Sequence, residues 1–323
     1  MEDLPALETR TIDLDGPVHF LDVPGPTDGP RFVLVHGLGG AHTNWLGLVP
    51  YLSRLGHVYV LDLIGFGFTP PAGRRADVWS NRRLVDRFIE EIAVVPVVLV
   101  GNSMGGAISI MQAAERPESV SGLVLVAPAV PRALGQYDHV AASFFATYLV
   151  PPFGERFITK RMHRIGPERV VNEMMRLCVT DPERVHPELL DAHVHMARAR
   201  ADMPWSTRAL MQGARSLVRL LMPRRRFLQM VDEVTAPTMM VLGRHDRLVP
   251  MDAAHATVMR RPDWDHVVFD DCGHTPMLED PRGVINVIDA WLNGPASRLL
   301  TGRAGIRWRA ASSWGTDERE EPA

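Results

Sequence analysis

Cysteine is scarce in this chain of 323 residues, which contains only Cys178 and Cys272. Two cysteines cannot build the disulfide framework of a small secreted domain, and their spacing does not match a zinc site. The first 30 residues contain no apolar run typical of a secretion signal, and no stretch of about twenty apolar residues could cross a bilayer. We therefore expect a cytoplasmic protein and leave peripheral contact with a membrane open.

A large charge of either sign is also missing. The chain has 35 Lys and Arg against 38 Asp and Glu, which gives a formal net charge of −3. Without a basic excess it lacks the electrostatic footprint of a nucleic-acid-binding protein, and we expect no such partner. Hydrophobic residues make up 46% of the chain, which is ordinary for a globular protein, and its length suits one large domain or a domain with a lid.

A serine flanked by glycines follows one of the apolar segments. Residues 101–106 read Gly-Asn-Ser-Met-Gly-Gly, after the apolar run 96–100 and before a helix-like stretch. On so tight a strand-to-helix turn a serine is strained, and its hydroxyl is pushed into a cleft. An ordinary Gly/Ser turn is the alternative, but this context favours Ser103 as a nucleophile.

A serine nucleophile needs a base, and the base needs a group that orients it. Asp246 follows the apolar run 237–243, and His274 follows the apolar run 266–269. The order Ser, Asp, His is the one used by hydrolases with this serine turn, and each residue lies at the carboxyl end of a predicted strand. We assign His274 as the base and Asp246 as its partner over the other candidates, which are Asp62, His245, His266, Asp270 and Asp271.

The negative charge of a tetrahedral intermediate needs backbone N–H donors. The residue after the nucleophile, Met104, supplies one at the start of a helix. The loop His-Gly-Leu-Gly-Gly at residues 36–40 supplies the other, and Leu38 is the predicted donor. A phosphate-binding loop is a poor alternative because no Gly-Lys-Ser/Thr follows.

These motifs together resemble the α/β-hydrolase fold superfamily, in its capped branch of esterases, lipases and C–C bond hydrolases. The resemblance covers roughly residues 30–293 apart from one insertion. It rests on five segments, which are residues 36–40, 62–67 (Asp-Leu-Ile-Gly-Phe-Gly), 101–106, 243–250 (Gly-Arg-His-Asp-Arg-Leu-Val-Pro) and 273–281 (Gly-His-Thr-Pro-Met-Leu-Glu-Asp-Pro).

Strand and helix signals alternate along most of the chain, which predicts an α/β fold with a mostly parallel eight-stranded sheet flanked by helices. The predicted strands are 9–15 and 18–23 as a hairpin, then 31–36, 57–62, 96–101, 123–127, 237–243 and 266–269. The predicted helices are 78–93, 104–115, 251–260 and 281–293. We divide the chain into a core of residues 1–130 and 236–295, a helical cap of residues 131–235, and a disordered or loosely docked tail of residues 296–323.

The cap contains fourteen consecutive uncharged residues, 140–153. They predict either a structural core face or a lid that lines an acyl pocket, for which Phe144, Phe145 and Tyr148 are the candidate contacts. A basic amphipathic stretch at 215–227 predicts a solvated helix face or a contact with an anionic lipid.

The leading hypothesis is a serine esterase or lipase-like enzyme that acts on a small ester or lipid with an apolar acyl part, without metal or organic cofactor. A C–C bond hydrolase is the alternative, although the resemblance implies an aromatic residue after the histidine, where Thr275 stands. An epoxide hydrolase would carry an aspartate in place of Ser103, and a binding protein would not need all three polar residues. The oligomeric state stays open.

Overall fold

The computed structural model describes residues 7–131, 155, 159–161 and 164–294. Its strands are β1 Glu8–Asp13, β2 Pro17–Val23, β3 Arg31–Val35, β4 His57–Leu61, β5 Val97–Asn102, β6 Val120–Val126, β7 Thr238–Gly243 and β8 Asp265–Phe269. Its α-helices are α1 Val49–Leu52, α2 Val78–Phe88, α3 Met104–Glu115, α4 Pro167–Cys178, α5 Pro187–Ala201, α6 Ser206–Leu221, α7 Arg224–Glu233, α8 Met251–Arg260, α9 Pro276–Glu279 and α10 Pro281–Asn293.

The eight strands form one sheet in the order β1-β2-β4-β3-β5-β6-β7-β8. The pairs β1–β2 and β2–β4 are antiparallel, and every other neighbouring pair is parallel. Asp15 and Gly16 turn the first hairpin, both with positive φ. The prediction of a mostly parallel, eight-stranded α/β sheet is therefore confirmed.

Each central strand is buried on both faces. Along β3, Phe32 and Leu34 belong to one apolar cluster, while Val33 and Val35 belong to another on the opposite side. Successive side chains of a strand point to opposite faces, so continuous apolar runs indicate a sheet covered on both sides. Because the central strands are parallel, their carboxyl ends lie along one edge of the sheet, which is where ligands bind in open α/β sheets.

The largest differences from the predicted bounds are in β6 and in the helix predicted over 78–93, while several other strand ends shift by one or two residues. Strand β6 begins at Val120 because Val120 pairs with Val97, across a register shift between Val97 and Val98. The helix predicted over 78–93 changes after Phe88 into a π-helical turn, Ile89–Ala93.

The described helices α4 to α7 lie between β6 and β7 in the chain. Among them α7 is anchored to the sheet domain, because Phe227 and Val231 are fully buried in its main cluster. The stretch 215–227 is not one continuous amphipathic helix, because α6 ends at Leu221 and α7 begins at Arg224, after Pro223. None of the described helices is long and apolar enough to cross a membrane.

Some predictions fall outside the described residues. They include the tail 296–323 and the whole uncharged stretch 140–153, with Phe144, Phe145 and Tyr148. The division into core and cap, and the cytoplasmic location, stay predictions.

A close backbone approach joins α3 to the end of β3. A Cβ added to Gly105 would lie 2.1 Å from the carbonyl oxygen of Val35 and 2.6 Å from that of His36. Helix propensity alone would make Gly105→Ala stabilising by about 1 kcal/mol. We instead expect Gly105→Ala to lower the free energy of unfolding by about 2 kcal/mol or more, because the backbone of α3 or of β3 must move to accommodate the added Cβ.

Urea unfolding of both proteins measures this difference in the free energy of unfolding. Gly106→Ala, on the same helix, is the comparison, because its Cβ would lie no closer than 2.8 Å to Pro128 Cβ, 2.9 Å to Pro128 Cα and 3.2 Å to the carbonyl oxygen of Gly101, so we expect a smaller loss. A Gly105→Ala protein as stable as wild type would mean that the approach is looser than the structure indicates.

Candidate active site

Ser103 lies between β5 and α3, with φ 51° and ψ −116°. Positive φ in a residue with a side chain costs about 1–3 kcal/mol and persists only where the surroundings hold it. Here its amide donates to the carbonyl of Val126 at 3.2 Å, and its carbonyl accepts from the amides of Ala107 at 3.1 Å and Ala129 at 2.9 Å. The predicted strained turn is present, and Ser103 keeps part of its surface exposed.

His274 and Asp246 lie in direct contact, with 2.7 Å between His274 Nδ1 and Asp246 Oδ2. Both side chains are buried. The other oxygen of Asp246 accepts from the backbone amides of Leu248 and Val249, each at 2.8 Å. A carboxylate only accepts, so this arrangement assigns the proton to His274 Nδ1 and leaves Nε2 as the basic atom.

These three residues follow β5, β7 and β8 along the same edge of the sheet. The Asn102 side chain bridges the serine turn and the histidine loop, because its Nδ2 donates to the carbonyl of Val126 at 3.0 Å and to that of His274 at 3.4 Å. The structure therefore places the serine turn beside the loop that carries His274.

The other candidate acids and bases have different surroundings. Asp270 is exposed and lies 2.7 Å from Arg244, while His245 and Asp271 are exposed. Asp62 is fully buried just after β4, where it accepts from His19, His42 and two backbone amides. Of these four residues, none contacts His274, so the choice of Asp246 stays the better interpretation.

The site of Asp62 is also the one group of described residues whose spacing could suit a metal ion, since ligand atoms of His19, His42 and Asp62 all lie within 4.8 Å of one another. However, Asp62 Oδ2 is 2.7 Å from His19 Nδ1 and 3.0 Å from His42 Nδ1. Burial would raise the pKa of Asp62, but hydrogen bonds from both histidines outweigh it and hold the pKa well below its usual range. We interpret the group as a hydrogen-bonded structural cluster.

Residues 36–40, which we name the glycine loop, run beside Ser103. A Cβ on Gly37 would lie 3.1 Å from Ser103 Cβ. The carbonyl of Gly37 accepts from His36 Nδ1 at 2.8 Å and from the amide of Gly40 at 3.1 Å. A trans peptide points its C=O and N–H in opposite directions, so these bonds turn the next amide, that of Leu38, away from them.

The two predicted donors, the amides of Leu38 and Met104, make no hydrogen bond to other described residues. The Met104 amide opens α3, where helix N–H groups lack internal acceptors and the helix dipole favours negative charge.

His36 was not recognised as a site residue from sequence. Its ring is fully buried, and its Nε2 accepts from the amide of Leu63 at 3.1 Å while Nδ1–H donates to Gly37. Burial lowers the pKa of His36 to about 4, so the ring is neutral at pH 7. The neutral ring of His36 thus donates one hydrogen bond within the glycine loop and accepts one from the loop after β4, which links the two loops.

The histidine loop has a support of its own. The buried carboxylate of Glu279 accepts from the amides of Gly273 at 2.6 Å and Thr180 at 2.8 Å, and burial raises its pKa. The amide of His274 donates to the carbonyl of Cys178, at the end of α4, at 2.6 Å. The segment after α4 therefore braces the loop that carries His274.

A small cavity of about 20 Å³ lies beside the glycine loop. Its wall combines apolar groups, Phe66 and Leu210, with Arg200 and the hydroxyl-bearing Ser206 and Thr207. Helix α6 also packs on the loop from this side, where Met211 and Ala214 cluster with Leu38 and Leu210. At this size the cavity has room for about one water molecule and is not a ligand-sized pocket.

Comparison with known proteins agrees with this geometry. The family model of the alpha/beta hydrolase fold matches residues 30–281, which is more than half of the chain. The chain therefore belongs to the α/β-hydrolase family.

Among curated proteins, the chain is 27% identical over 278 residues to a pimeloyl-[acyl-carrier protein] methyl ester esterase of Aromatoleum aromaticum, covering 82% of this chain and 99% of that one. It is 26% identical over 257 residues to a 2-hydroxy-6-oxononadienedioate/2-hydroxy-6-oxononatrienedioate hydrolase of Cupriavidus pinatubonensis, covering 77% and 82%. A crystal structure of a putative lipase from Acinetobacter baumannii superposes with a TM-score of 0.73 at 20% identity, covering 92% and 93%. The structural similarity supports the fold.

The depressed pKa of His36 predicts sensitivity to acid. Between pH 6.5 and about 4 the unfolded chain takes up a proton at this position and the folded protein does not. The free energy of unfolding should therefore fall as the pH decreases, by up to about 3 kcal/mol from this residue at 1.36 kcal/mol per pKa unit.

Urea unfolding at several pH values between 7 and 4 measures this slope. We expect His36→Asn to be less stable than wild type at pH 7, but its free energy of unfolding should fall less than that of wild type as the pH decreases. His245→Asn, at an exposed position, should keep the wild-type slope. Equal slopes for wild type and His36→Asn would contradict a neutral buried His36.

Proposed function

We propose that the protein is a serine hydrolase of carboxylic esters, in which Ser103, His274 and Asp246 form a catalytic triad. The observation that carries the proposal is the 2.7 Å contact between His274 Nδ1 and Asp246 Oδ2, on the sheet edge where the strained Ser103 also lies. An orienting carboxylate, a base and an activated hydroxyl are the parts that acyl transfer through serine requires.

In the proposed reaction Ser103 Oγ attacks the ester carbonyl while His274 Nε2 takes the hydroxyl proton. The carbonyl oxygen becomes an oxyanion, which accepts from the amides of Leu38 and Met104. Collapse breaks the bond to the alkoxy group, and His274 returns the proton to the departing alcohol. Water, deprotonated by His274, then hydrolyses the acyl-enzyme and releases the acid. The chemistry uses no metal ion or organic cofactor.

The proposed substrate is a small ester or lipid with an apolar acyl part. Support comes from the apolar contacts of Leu38 with Leu210, Met211 and Ala214 beside the proposed donors, and from the esterase among the relatives. We also propose that residues 131–235 form a cap over a core of residues 1–130 and 236–295. The helices α4 to α7 lie in that interval, and their ends contact both the glycine loop and the histidine loop.

C–C bond hydrolysis is a second candidate, which the similarity to the 2-hydroxy-6-oxo-dienoate type hydrolase favours. Ser103, His274 and the two amides could serve that reaction as well. Thr275 after His274 departs from the pattern that the resemblance implies. Parallel assays with aryl esters and a vinylogous 1,5-diketo acid, followed by product analysis, distinguish the two reactions.

Ser103→Ala should abolish ester hydrolysis and leave the fold intact, because the hydroxyl is partly exposed and contributes little packing. We expect kcat/KM on an acetyl aryl ester to fall by at least a thousandfold. A fluorophosphonate probe should add to wild type and not to this variant, as measured by intact mass. Ser53→Ala, at the end of α1, is the control that should keep both activity and labelling. Turnover within tenfold of wild type would refute Ser103 as nucleophile.

Asp246→Asn should lower the acylation rate by about a thousandfold or more, since an amide no longer holds the required histidine tautomer. Single-turnover kinetics measure this rate. Asp271→Asn is the matched control, because Asp271 precedes His274 by three residues but is exposed. If Asp271→Asn lost activity and Asp246→Asn did not, the acid would be wrongly assigned.

A further inference from the structure

Arg200, in the last turn of α5, reaches across to the glycine loop. Its Nη1 donates to the carbonyl of Gly39 at 2.7 Å, and its Nη2 donates to the carbonyl of Gly40 at 3.1 Å. Among the described residues Arg200 has no carboxylate within ion-pair distance. The guanidinium of Arg200 therefore takes its orientation from its two hydrogen bonds to the glycine loop and not from an ion pair.

The bonds of Arg200 constrain the amide predicted to bind the oxyanion through two peptide planes. The carbonyl of Gly39 shares a plane with the amide of Gly40, which donates to the carbonyl of Gly37 at 3.1 Å. The carbonyl of Gly37 in turn shares a plane with the amide of Leu38. Fixing the first plane therefore helps to fix the direction of the Leu38 N–H.

Glycine residues at 37, 39 and 40 make this loop easy to deform, so its geometry depends on such external bonds. His36 Nδ1 holds one end, at the carbonyl of Gly37, and Arg200 holds the other. Burial lowers the pKa of Arg200, but an arginine keeps its charge at neutral pH, so its bonds to the loop remain charge-assisted.

We propose that Arg200 is a positioning residue that holds the glycine loop in the geometry in which the Leu38 amide binds the oxyanion. The role rests on the proposed ester hydrolysis at Ser103. The two bonds of Arg200 make the rate of the reaction depend on the position of α5. If this helix were displaced, the carbonyls of Gly39 and Gly40 would both lose their bonds to Arg200. Arg200 acts through the loop and does not itself contact the reacting atoms.

The first experiment compares Arg200→Ala, Arg200→Lys and Arg198→Ala on a short acetyl ester. Arg198 lies two residues earlier on the same helix and is an exposed partner of Glu168, so it controls for changes in α5. We expect Arg200→Ala to lose about a hundredfold in kcat with KM within threefold, as for loss of one oxyanion donor. Arg200→Lys should recover only part of this, because one ammonium does not reproduce the paired N–H geometry. Arg198→Ala should match wild type.

Chemical rescue separates positioning from general destabilisation. Arg200 lines the small cavity beside Gly39, so its truncation to alanine should enlarge that cavity enough to admit a free guanidinium ion. Guanidinium, at concentrations far below those that unfold the protein, should raise kcat of Arg200→Ala several-fold. It should not raise the activity of wild type, Arg198→Ala or Ser103→Ala.

A trifluoromethyl ketone, which adds to serine and forms an oxyanion, probes the same interaction without turnover. Its affinity should fall in Arg200→Ala by the same factor as kcat/KM, while a methyl ketone of the same shape should bind as before. Unchanged trifluoromethyl ketone affinity, or a loss confined to KM, would overturn the proposal.

Hydrogen–deuterium exchange provides a readout that does not depend on the reaction. Amides of residues 36–41 should exchange faster in Arg200→Ala and in Arg200→Lys than in Arg198→Ala, while those of β5 stay protected. Unchanged exchange in this loop would refute Arg200 as its support even if the enzyme proved to act on another bond. A fully active Ser103→Ala with a loosened loop in Arg200→Ala would instead refute the proposed function alone.

Discussion

The contact between the start of α3 and the end of β3 is the constraint on which the candidate site depends. Gly105 sits where any side chain would collide with the carbonyl of Val35, so the helix begins directly against the neighbouring strand. That approach places Ser103 next to Gly37, the residue that precedes Leu38. A looser junction would separate the nucleophile from the proposed donors, whatever the other residues did.

The loops around the serine are held mainly by bonds between a buried side chain and backbone groups. His36 and Arg200 hold the glycine loop, Asp246 is oriented by two amides, and Glu279 accepts from two more. Because each of these groups is desolvated, leaving any of them unpaired costs more than an exposed hydrogen bond would contribute. Such bonds make the loops rigid without adding regular secondary structure, which suits a site that must present N–H groups to a developing charge.

Sequence patterns predicted the sheet and the polar residues at its edge because both depend on local signals. Apolar runs mark the strands, glycines mark the turn at Ser103, and chain order distinguishes Asp246 from Asp62. The roles of Arg200 and His36 could not be predicted, because their partners are backbone carbonyls and amides that every residue possesses. Arg200 and Gly39 are 161 residues apart, and nothing in either side chain reveals the pairing. The role of Glu279 in supporting the histidine loop could have been predicted, since Glu279 belongs to the segment 273–281 that carries the family resemblance.

The positive charge of Arg200 has a second effect at the glycine loop, because it lies in the electric field of Asp62. Asp62 is ionised and fully buried, and its field reaches both His36 and Arg200. A fixed negative charge near the loop would oppose an oxyanion on the proposed donors, because like charges close to buried groups repel one another more strongly than in bulk water. The guanidinium of Arg200 opposes that field while it fixes the loop. A neutral residue that preserved the hydrogen bonds of Arg200 would therefore restore loop order more fully than it restored catalysis.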